Sequence, residues 1–436
     1  MARLNECILY RNFEHGETLD NMAELMNAWE QKAPDLKDKE EMFFECANGL
    51  VEMAGSYGFS GNLWHCYLTF LLVNNENAFS TACEIRGAVN GSINELALND
   101  FGVFKELYDF DLTVLDEAFG ISCCKILKDY TNTGSNSKMF NSRIRDRICD
   151  LSQTLAAAET TEEFMKDMVQ FYKDFGVGKL GLHKAFRVGH DENDNVEIQP
   201  ITRIAHVKLE DLVGYEIPKQ KLIENTEAFV RGRKANNCLL LGDAGTGKSS
   251  SIKGILNRYY DEGLRIIEVY KHQFQDLNDV IAQIKNRNYK FIIYMDDLSF
   301  EEFEIEYKYL KAVIEGGLEK KPDNILIYAT SNRRHLIRET WSDRNDVQQD
   351  EGMHRSDTMQ EKLSLVNRFG VTINYSKPSQ KEYFDIVIHL AAKAGIKMSE
   401  DELKAEANKW ELSHGGISGR TAQQFIYYLQ GQEDEK

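Results

Sequence analysis

The spacing of apolar residues predicts that the first 180 residues or so are helical. Apolar side chains recur there every three or four positions, which is the period of an amphipathic helix. Two such runs are Leu19, Met22, Leu25, Met26 and Trp29, and Phe164, Met168, Phe171, Tyr172 and Phe175. Thr160 and Glu163 form the pattern of a capping box at the start of the second helix. We therefore predict a mostly α-helical N-terminal domain over residues 1–180.

After residue 180 the pattern changes to short apolar runs separated by segments of helix length. The runs at 185–188 and 196–198 flank a polar turn at 191–195, and a linker at 209–215 leads into a helix that ends near Gly232. Five further apolar runs, most of them rich in β-branched residues, lie at 238–241, 265–269, 290–295, 325–330 and 371–374. This alternation predicts an α/β fold with a parallel sheet buried between helices.

Beyond Pro378 the periodicity is helical again, with predicted helices at about 379–393, 400–410 and 418–430. The chain therefore divides into three predicted domains. These are the helical N-terminal domain, an α/β core with an N-terminal linker at 181–375, and a C-terminal helical lid at 376–436.

The clearest chemical pattern is GDAGTGKS at residues 242–249, which directly follows the apolar run 238–241. It matches the phosphate-binding loop G-x-x-x-x-G-K-[ST]. Glycines let the backbone curl so that successive N–H groups face one anion, at the positive end of the following helix. A Gly-rich turn matching by chance is the alternative, and the strand before and helix after the loop argue against it. The predicted nucleotide-binding residues here are Gly242, Asp243, Ala244, Gly245, Thr246, Gly247, Lys248, Ser249 and Ser250.

Within this loop, Lys248 is predicted to reach the β- and γ-phosphates of the nucleotide, and Ser249 to ligate Mg²⁺. The apolar run 290–295 ends in two carboxylates, Asp296 and Asp297. A buried parallel strand delivers its C-terminal end to the ligand crevice. Asp296 is therefore predicted to hold Mg²⁺ opposite Ser249, and Asp297 to orient or activate the attacking water. A plain acidic turn is the alternative.

Three further polar residues are candidates for the catalytic site. Asn332 follows the run 325–330 and is predicted to reach the γ-phosphate or the water, or else to cap the turn. Arg368 lies at a predicted helix end before Gly370, where it would serve a neighbouring subunit as an arginine finger or form a surface salt bridge. Arg420 opens the last predicted helix, where it would touch the γ-phosphate from the lid or remain a surface charge.

Net charge and cysteine content narrow the choice of partners and compartment. The formal net charge of −18 disfavours broad binding of a nucleic-acid backbone, so a protein partner is favoured. Seven of the 8 Cys precede residue 150, and no C-x-x-C pair is present although Cys123 and Cys124 are adjacent. We expect reduced thiols and, from the spacing, no zinc site. With no signal-peptide pattern and no apolar stretch of membrane-spanning length, a cytoplasmic protein is predicted.

In order, these elements resemble Walker A, Walker B, sensor 1, the arginine finger and sensor 2 of AAA+ ATPases. Blocks at 213–216, 235–237, 296–301, 329–336, 361–365 and 418–422 resemble one group in particular. That group is a bacterial family of stand-alone AAA+ proteins catalogued as a domain of unknown function. The resemblance covers roughly residues 180–430 and implies an AAA+ P-loop core with a helical lid. It also implies that Gly214 and Tyr215 lie beside the adenine.

This chain departs from most hydrolysing AAA+ proteins, which have Asp-Glu where it has Asp296-Asp297. An aspartate is one methylene shorter, so hydrolysis is less secure than nucleotide binding. Glu301 or Glu302 is an alternative base. Without the Asn-Lys-x-Asp pattern that reads guanine, ATP is favoured over GTP.

Three functions remain open from the sequence. The first is an oligomeric ATPase that uses Mg²⁺-dependent hydrolysis to remodel a macromolecular partner. The second is a slowly hydrolysing, nucleotide-gated switch or loader, and the third is a P-loop phosphotransferase. A homo-oligomer is expected because an arginine finger acts across subunits. The polar stretch 339–361 is either a loop that contacts the partner or a disordered segment.

Overall fold

A computed structural model describes residues 3–87, 91–132, 142–202, 204–300, 306–315, 322–332 and 365–433. The chain forms two compact units, Met1–His183 and Lys184–Lys436. Predictions that fall on the stretch 339–361, on Glu301 or Glu302, or on the block 361–364 lie outside these described residues.

The first unit is built of helices, as its apolar spacing predicts. They are α1 Glu17–Glu30, α2 Glu40–Tyr57, α3 Leu63–Asn74, α4 Ala78–Arg86, α5 Ser92–Asp109, α6 Thr113–Phe119, α7 Cys124–Lys128, α8 Ser142–Ala157, α9 Thr161–Phe175 and α10 Gly178–Leu182. The cap of α9 forms only in part. The Thr160 hydroxyl accepts a hydrogen bond from the Glu163 N–H at 3.2 Å, but the Glu163 carboxylate accepts from the Glu159 N–H rather than from that of Thr160.

Helix α3 lies at the centre of this unit. Nearly all of its residues are buried, which explains why its sequence is apolar on every face rather than along one stripe. The buried indole of Trp64 donates to the Leu107 carbonyl at 2.9 Å, so its polar atom is satisfied within the core.

A buried carboxylate anchors the N-terminal segment to this core. Asp100 on α5 is fully buried, and it accepts hydrogen bonds from the backbone N–H groups of Ile8, Leu9 and Tyr10 at 2.7–3.0 Å. Charge-assisted bonds of this kind are shorter and stronger than neutral ones. They provide partners for three consecutive backbone donors of a segment that has no regular structure of its own.

The second unit contains all the strands of the described part and the remaining helices. The elements are β1 Ala185–His190, β2 Val196–Pro200, α11 Glu216–Val230, β3 Cys238–Gly242, α12 Lys248–Tyr259, β4 Leu264–Glu268, α13 Leu277–Ile284, β5 Lys290–Met295, α14 Glu306–Glu315, β6 Ile325–Ser331, β7 Val371–Tyr375, α15 Gln380–Ala394, α16 Glu400–Ser413 and α17 Gly419–Glu433. The five predicted core strands are confirmed, with ends that differ by at most one residue.

The strands form one sheet in the order β2-β1-β4-β5-β6-β3-β7. All neighbours are parallel except the pair β1–β2. Every residue of β6 is buried, and so is all of β5 after Lys290, as expected for strands covered on both faces. The next strand after β3 in sequence is β4, which lies on the far side of β6 and β5. The carboxyl ends of β3 and β6 therefore flank a topological switch point, where ligands bind in open α/β sheets.

The runs at 185–188 and 196–198 form a hairpin, and this hairpin extends the sheet. The Asp191 carboxylate accepts from the backbone N–H groups of Asn193 and Asn195 at 2.9 and 2.8 Å, which closes the predicted turn. Strand β1 then pairs in parallel with β4. The sheet is thus mixed, with an antiparallel edge strand that the sequence pattern did not assign to it.

The C-terminal helices begin where the sequence signals place them. Ser379 with Glu382, and Ser399 with Glu402, form complete capping boxes at the starts of α15 and α16. The three helices share a small apolar core of their own, which includes Tyr383, Val387 and Phe425. The α/β fold with a helical lid and a helical N-terminal region is therefore confirmed. Among the described helices, none is both long and apolar enough to cross a membrane.

We expect Asp100→Ala to destabilise the N-terminal unit by about 2–3 kcal/mol. The buried Tyr10 N–H would lose its acceptor at a cost of roughly 1–3 kcal/mol, and the part-buried N–H groups of Ile8 and Leu9 would lose theirs at a smaller cost. Urea unfolding, followed by hydrogen exchange of α5 peptides, measures this loss. Glu95→Ala, on the exposed side of the same helix, is the matched control and should change stability by under about 1 kcal/mol. Equal losses in the two variants would show that the buried carboxylate has no special role.

Candidate functional site

The loop at residues 242–249 adopts a conformation that requires glycine. Gly242 has a φ of 149°, and a side chain there would collide with the carbonyl oxygen of Tyr375. Gly245 has a φ of 76°, and a Cβ at this position would lie 2.9 Å from the Ser418 hydroxyl and 3.0 Å from the Arg420 Cβ. The loop therefore packs against β7 on one side and against the start of α17 on the other, with no room for a larger residue.

Lys248 is buried at the mouth of the loop, and its ammonium group makes three hydrogen bonds. It donates to the carbonyl oxygens of Gly242 and Asp243, each at 2.7 Å, and to the Asn332 side-chain oxygen at 2.8 Å. Burial lowers the pKa of Lys248, while the carboxylates of Asp297, Asp243 and Asp296 partly offset this shift. A buried cation that is held by replaceable acceptors is suited to binding an anion.

Asp296 directly follows β5, and one of its carboxylate oxygens accepts hydrogen bonds from three hydroxyl groups. Ser249, Tyr294 and Thr330 donate to its Oδ1 at 2.8, 2.7 and 2.5 Å respectively. Burial raises the pKa of Asp296, but these hydrogen bonds outweigh it, and the net pKa lies below the ordinary aspartate value. The group is therefore ionised at neutral pH.

Asp297 bends the chain sharply after β5. Its φ of 50° is in the left-handed region, which is uncommon for a residue with a side chain. Thr330 holds this turn, since its hydroxyl accepts from the Asp297 N–H at 2.9 Å and its carbonyl accepts from the Leu298 N–H at 2.7 Å. The Asn332 amide donates to Asp297 Oδ1 at 2.7 Å. One Asn side chain thus joins Lys248 to Asp297.

These groups line a cleft of about 1020 Å³ between the sheet and the C-terminal helices. The volume is at the upper end of the usual range for small-molecule sites. The cleft is lined by residues of the phosphate loop, of the strand ends, of the linker before α11 and of the lid helices α15 and α17. Every predicted part of the nucleotide site except Arg368 is therefore represented.

The lid also contacts the phosphate loop directly. The N–H of Gly419, the first residue of α17, donates to the Gly245 carbonyl at 3.0 Å. Arg420 is exposed, lines the cleft and lowers the pKa of Lys248 through like-charge repulsion. A movement of α17 relative to the loop would therefore break this hydrogen bond.

Apolar side chains gather at the end of the cleft next to the linker. Val213 and Tyr215 of the linker lie there with Ile386 and Leu390 of α15. The Tyr215 ring packs on Tyr375 at a centroid distance of 5.4 Å, and its hydroxyl has no hydrogen-bond partner among the described residues. Burial raises the pKa of Tyr215 to about 12. Gly214 lies between Val213 and Tyr215 with a φ of 78°, but it does not line the cleft itself.

Arg368 is not among the residues that line the cleft. It lies in the short segment before β7, and its guanidinium forms an ion pair with Glu315 at the end of α14. The side chains of Arg368 and Glu315 are 30% and 34% exposed. The structure therefore places Arg368 away from the phosphate loop of its own chain.

Sequence reasoning did not single out Tyr294 and Thr330. Tyr294 lies two residues before Asp296 and therefore on the same side of the strand. Thr330 follows Ala329, which is paired in register with Met295, so it lies beside Asp296. The two-residue repeat along β5 could have identified Tyr294 from the sequence. The register between β5 and β6, which brings Thr330 to Asp296, was not available from the sequence.

The side chains present fit a hard divalent cation. Ser249 offers a hydroxyl oxygen and Asp296 an ionised carboxylate, and both are ligands that Mg²⁺ prefers. None of the described residues donates a hydrogen bond to Asp296 Oδ2, so this oxygen is available to a metal or to a metal-bound water.

Comparison with solved structures finds the RuvB proteins of Thermotoga maritima. The RuvB Holliday junction branch migration motor is 16% identical, with 51% of this chain and 64% of that chain covered and a TM-score of 0.35. A point mutant of the same RuvB is 17% identical, with 52% and 66% covered and a TM-score of 0.37. This chain thus spans a little under two thirds of these RuvB chains, and scores this low support no inference about it. A search of curated proteins finds no match.

Comparison with protein families gives a longer match. A family model described as "Protein of unknown function (DUF815)" matches residues 182–433, which takes in all of the second unit's strands and its lid helices. Because this match covers more than half of the chain, the protein belongs to the DUF815 family.

Proposed function

We propose that this protein binds Mg²⁺-ATP and couples its hydrolysis to the remodelling of a macromolecular partner. The observation that carries the proposal is the hydrogen bond from the Gly419 N–H to the Gly245 carbonyl. It joins the first residue of a lid helix to the loop that would hold the phosphates. A change at the phosphates would therefore be transmitted to the lid, which is the coupling that a remodelling ATPase needs.

The loop would hold the phosphates through its backbone N–H groups and through Lys248. Ser249 and Asp296 would hold Mg²⁺, which neutralises negative charge on the phosphate oxygens when it is bound. Asp243, Asp296 and Asp297 all act on Lys248 electrostatically. A triphosphate without a cation would be repelled by these carboxylates, so binding should depend on Mg²⁺.

Asp297 would position the attacking water, with Asn332 beside it. Lys248 has three donors, and all three are engaged. A phosphate oxygen that binds Lys248 must replace one acceptor. Asn332 is the one that can rotate away, since the other two acceptors are backbone carbonyls. Its displacement would also release the bond to Asp297, so the arrival of nucleotide would free the water-orienting carboxylate.

Adenine would occupy the apolar end of the cleft, beside Val213 and Tyr215. Residues 376–436 would act as the lid, with Arg420 contacting the γ-phosphate. The helical N-terminal domain over residues 1–180 would recognise the partner. Given the net charge of −18, this partner is a protein rather than a nucleic acid.

We further infer that Arg368 acts across a subunit interface of a homo-oligomer. It lies outside the cleft of its own chain and cannot serve that cleft in its present position. A head-to-tail interface presents such a side chain to the neighbouring cleft, and repetition of that interface gives a ring or an open spiral.

Two contacts favour the second candidate, a slowly hydrolysing switch. In the described conformation Asp297 is bound by Asn332, and Arg368 is bound by Glu315. Both groups proposed to act on the reaction are therefore engaged elsewhere. If a neighbouring subunit does not draw Arg368 away from Glu315, the protein would hold ATP for long periods and act through its bound state.

Lys248→Ala should weaken the binding of Mg²⁺-ATP by at least about 100-fold, because it removes a buried charge-assisted contact to the phosphates. Isothermal titration with a non-hydrolysable ATP analogue measures this. Lys253→Ala, a matched lysine one turn later that also lines the cleft, should have a much smaller effect. Wild-type affinity in Lys248→Ala would rule out the proposed site.

Asp297→Asn should retain Mg²⁺-ATP but lose most of its turnover, since an amide cannot accept a proton from water. Asp296→Asn should instead shift the Mg²⁺ dependence of binding, because it loses the charge that holds the cation. Steady-state phosphate release and titrations across Mg²⁺ concentrations separate the two variants. Normal turnover by Asp297→Asn would transfer the role of base to Glu301 or Glu302.

Arg368→Ala should bind ATP normally and hydrolyse it at least about 10³-fold more slowly, as expected for loss of an arginine finger. Mixing it with Lys248→Ala tests the role in trans, since a mixed assembly contains an intact Lys248 facing an intact Arg368. Recovered phosphate release supports the oligomeric ATPase. No recovery, together with a monomer at saturating ATP by light scattering, favours the switch.

A further inference from the structure

A cluster of potential metal ligands lies in the N-terminal unit, outside the nucleotide site. It consists of Asp116 on α6, and of Cys123 and Cys124 at the start of α7. One ligand atom from each residue lies within 4.8 Å of those from the other two. Asp116 is 6% exposed and Cys124 is fully buried, whereas Cys123 is partly exposed.

The loop between α6 and α7 brings these residues together. Helix α6 ends at Gly120, whose φ of 72° allows the chain to turn back, and the Ile121 N–H bonds to the Asp116 carbonyl at 2.9 Å. The Cys123 carbonyl accepts from the N–H groups of Ile126 and Leu127, each at 3.0 Å. Backbone hydrogen bonds therefore fix both ends of the loop, and the cluster does not depend on a mobile segment.

The Asp116 carboxylate is incompletely satisfied. Its Oδ1 accepts from the Cys124 N–H at 3.0 Å, whereas no N–H or O–H donor of the described residues reaches its buried Oδ2, and among those residues the thiol of Cys124, a weak donor, is the only side chain that is a hydrogen-bond partner of this carboxylate. Most buried polar atoms in proteins have a partner, so an unpaired carboxylate oxygen calls for an explanation. A cation bound between this carboxylate and the two sulfurs provides one.

We propose that Asp116, Cys123 and Cys124 bind a zinc ion, with a water molecule as the fourth ligand. Two thiolates and a carboxylate are ligands that zinc accepts in tetrahedral geometry, and the carboxylate makes copper(I) a poorer match. Zinc–sulfur bonds of about 2.3 Å place two sulfurs roughly 3.8 Å apart, so the three groups need to approach by at most about 1 Å. The partly exposed Cys123 gives the ion a path from solvent.

Binding converts two thiols into two thiolates and releases two protons to solvent. The dication offsets two of the three negative charges that the thiolates and the bound carboxylate then carry together. The two adjacent cysteines can form this site without the usual C-x-x-C spacing because the third ligand comes from the preceding helix.

Cobalt(II) is the probe that tests the site in the full-length protein after treatment with a chelator. Thiolate ligation gives Co²⁺ an intense charge-transfer absorption, and zinc titrated afterwards should displace it with one ion per chain. A cation held by Ser249 and Asp296 gives no such band, so the nucleotide site cannot mimic the result. Zinc affinity is measured by calorimetry without nucleotide.

Cys123→Ser should weaken the charge-transfer band, because one of the two thiolates is lost, and it should weaken zinc binding by more than about 10-fold, since even changes to outer-shell partners of zinc ligands typically cost 10–100-fold. Asp116→Asn should weaken binding but keep the band. Cys46→Ser, a buried cysteine of the same unit outside the cluster, is the control and should match the wild type. Cys123 is the most exposed of the three ligands, so Cys123→Ser is the variant that we expect to retain the fold. Circular dichroism checks this.

Absence of a thiolate band in the wild type would overturn the proposal. Zinc affinity that is unchanged in both Cys123→Ser and Asp116→Asn would do the same, because the ion would then lie elsewhere.

Discussion

The proposed nucleotide site depends on how the ammonium group of Lys248 is held. Its three hydrogen bonds end on two carbonyls of its own loop and on the side chain of Asn332, from a different strand. A lysine offers three donors and no more, so Lys248 has no spare donor for a phosphate. Phosphate binding must therefore rearrange the site rather than simply fill it. Because Asn332 also bonds Asp297, the rearrangement reaches the carboxylate proposed to act on water.

The sheet makes this arrangement possible. Strand β3 pairs with β6 so that Leu241 is opposite Ser331, which places Gly242 at the end of β3 beside Asn332, the residue after β6. Strand β5 pairs with β6 so that Met295 is opposite Ala329, and Asp296 then lies next to Thr330. All three strands are almost completely buried, so their ends are fixed by the core and not by loop packing. The hydroxyl cluster on Asp296 is a direct consequence of this register.

The sequence was sufficient where the signal is local. The five core strands, the helix after residues 242–249 and the starts of the three C-terminal helices each depend on residues within a few positions of one another. Contacts that join distant segments were not predictable. The register that brings Thr330 to Asp296, the bond from Gly419 to Gly245 and the approach of Asp116 to Cys123 are set by tertiary packing. The half-formed cap of α9 has another cause. The Glu163 carboxylate accepts a hydrogen bond from the Glu159 N–H instead of the Thr160 N–H, and a sequence pattern cannot distinguish these two neighbouring donors.

The ion pair between Arg368 and Glu315 does not prevent Arg368 from acting on a neighbouring subunit. Both side chains are about one-third exposed, and exposed ion pairs contribute only about 0–1 kcal/mol to stability. A triphosphate in a neighbouring cleft carries more charge than one carboxylate and can bind the guanidinium at two points. The guanidinium would then leave Glu315 at little energetic cost. The ion pair is therefore the position of the Arg368 side chain in a single chain. Assembly would determine whether Arg368 stays paired with Glu315.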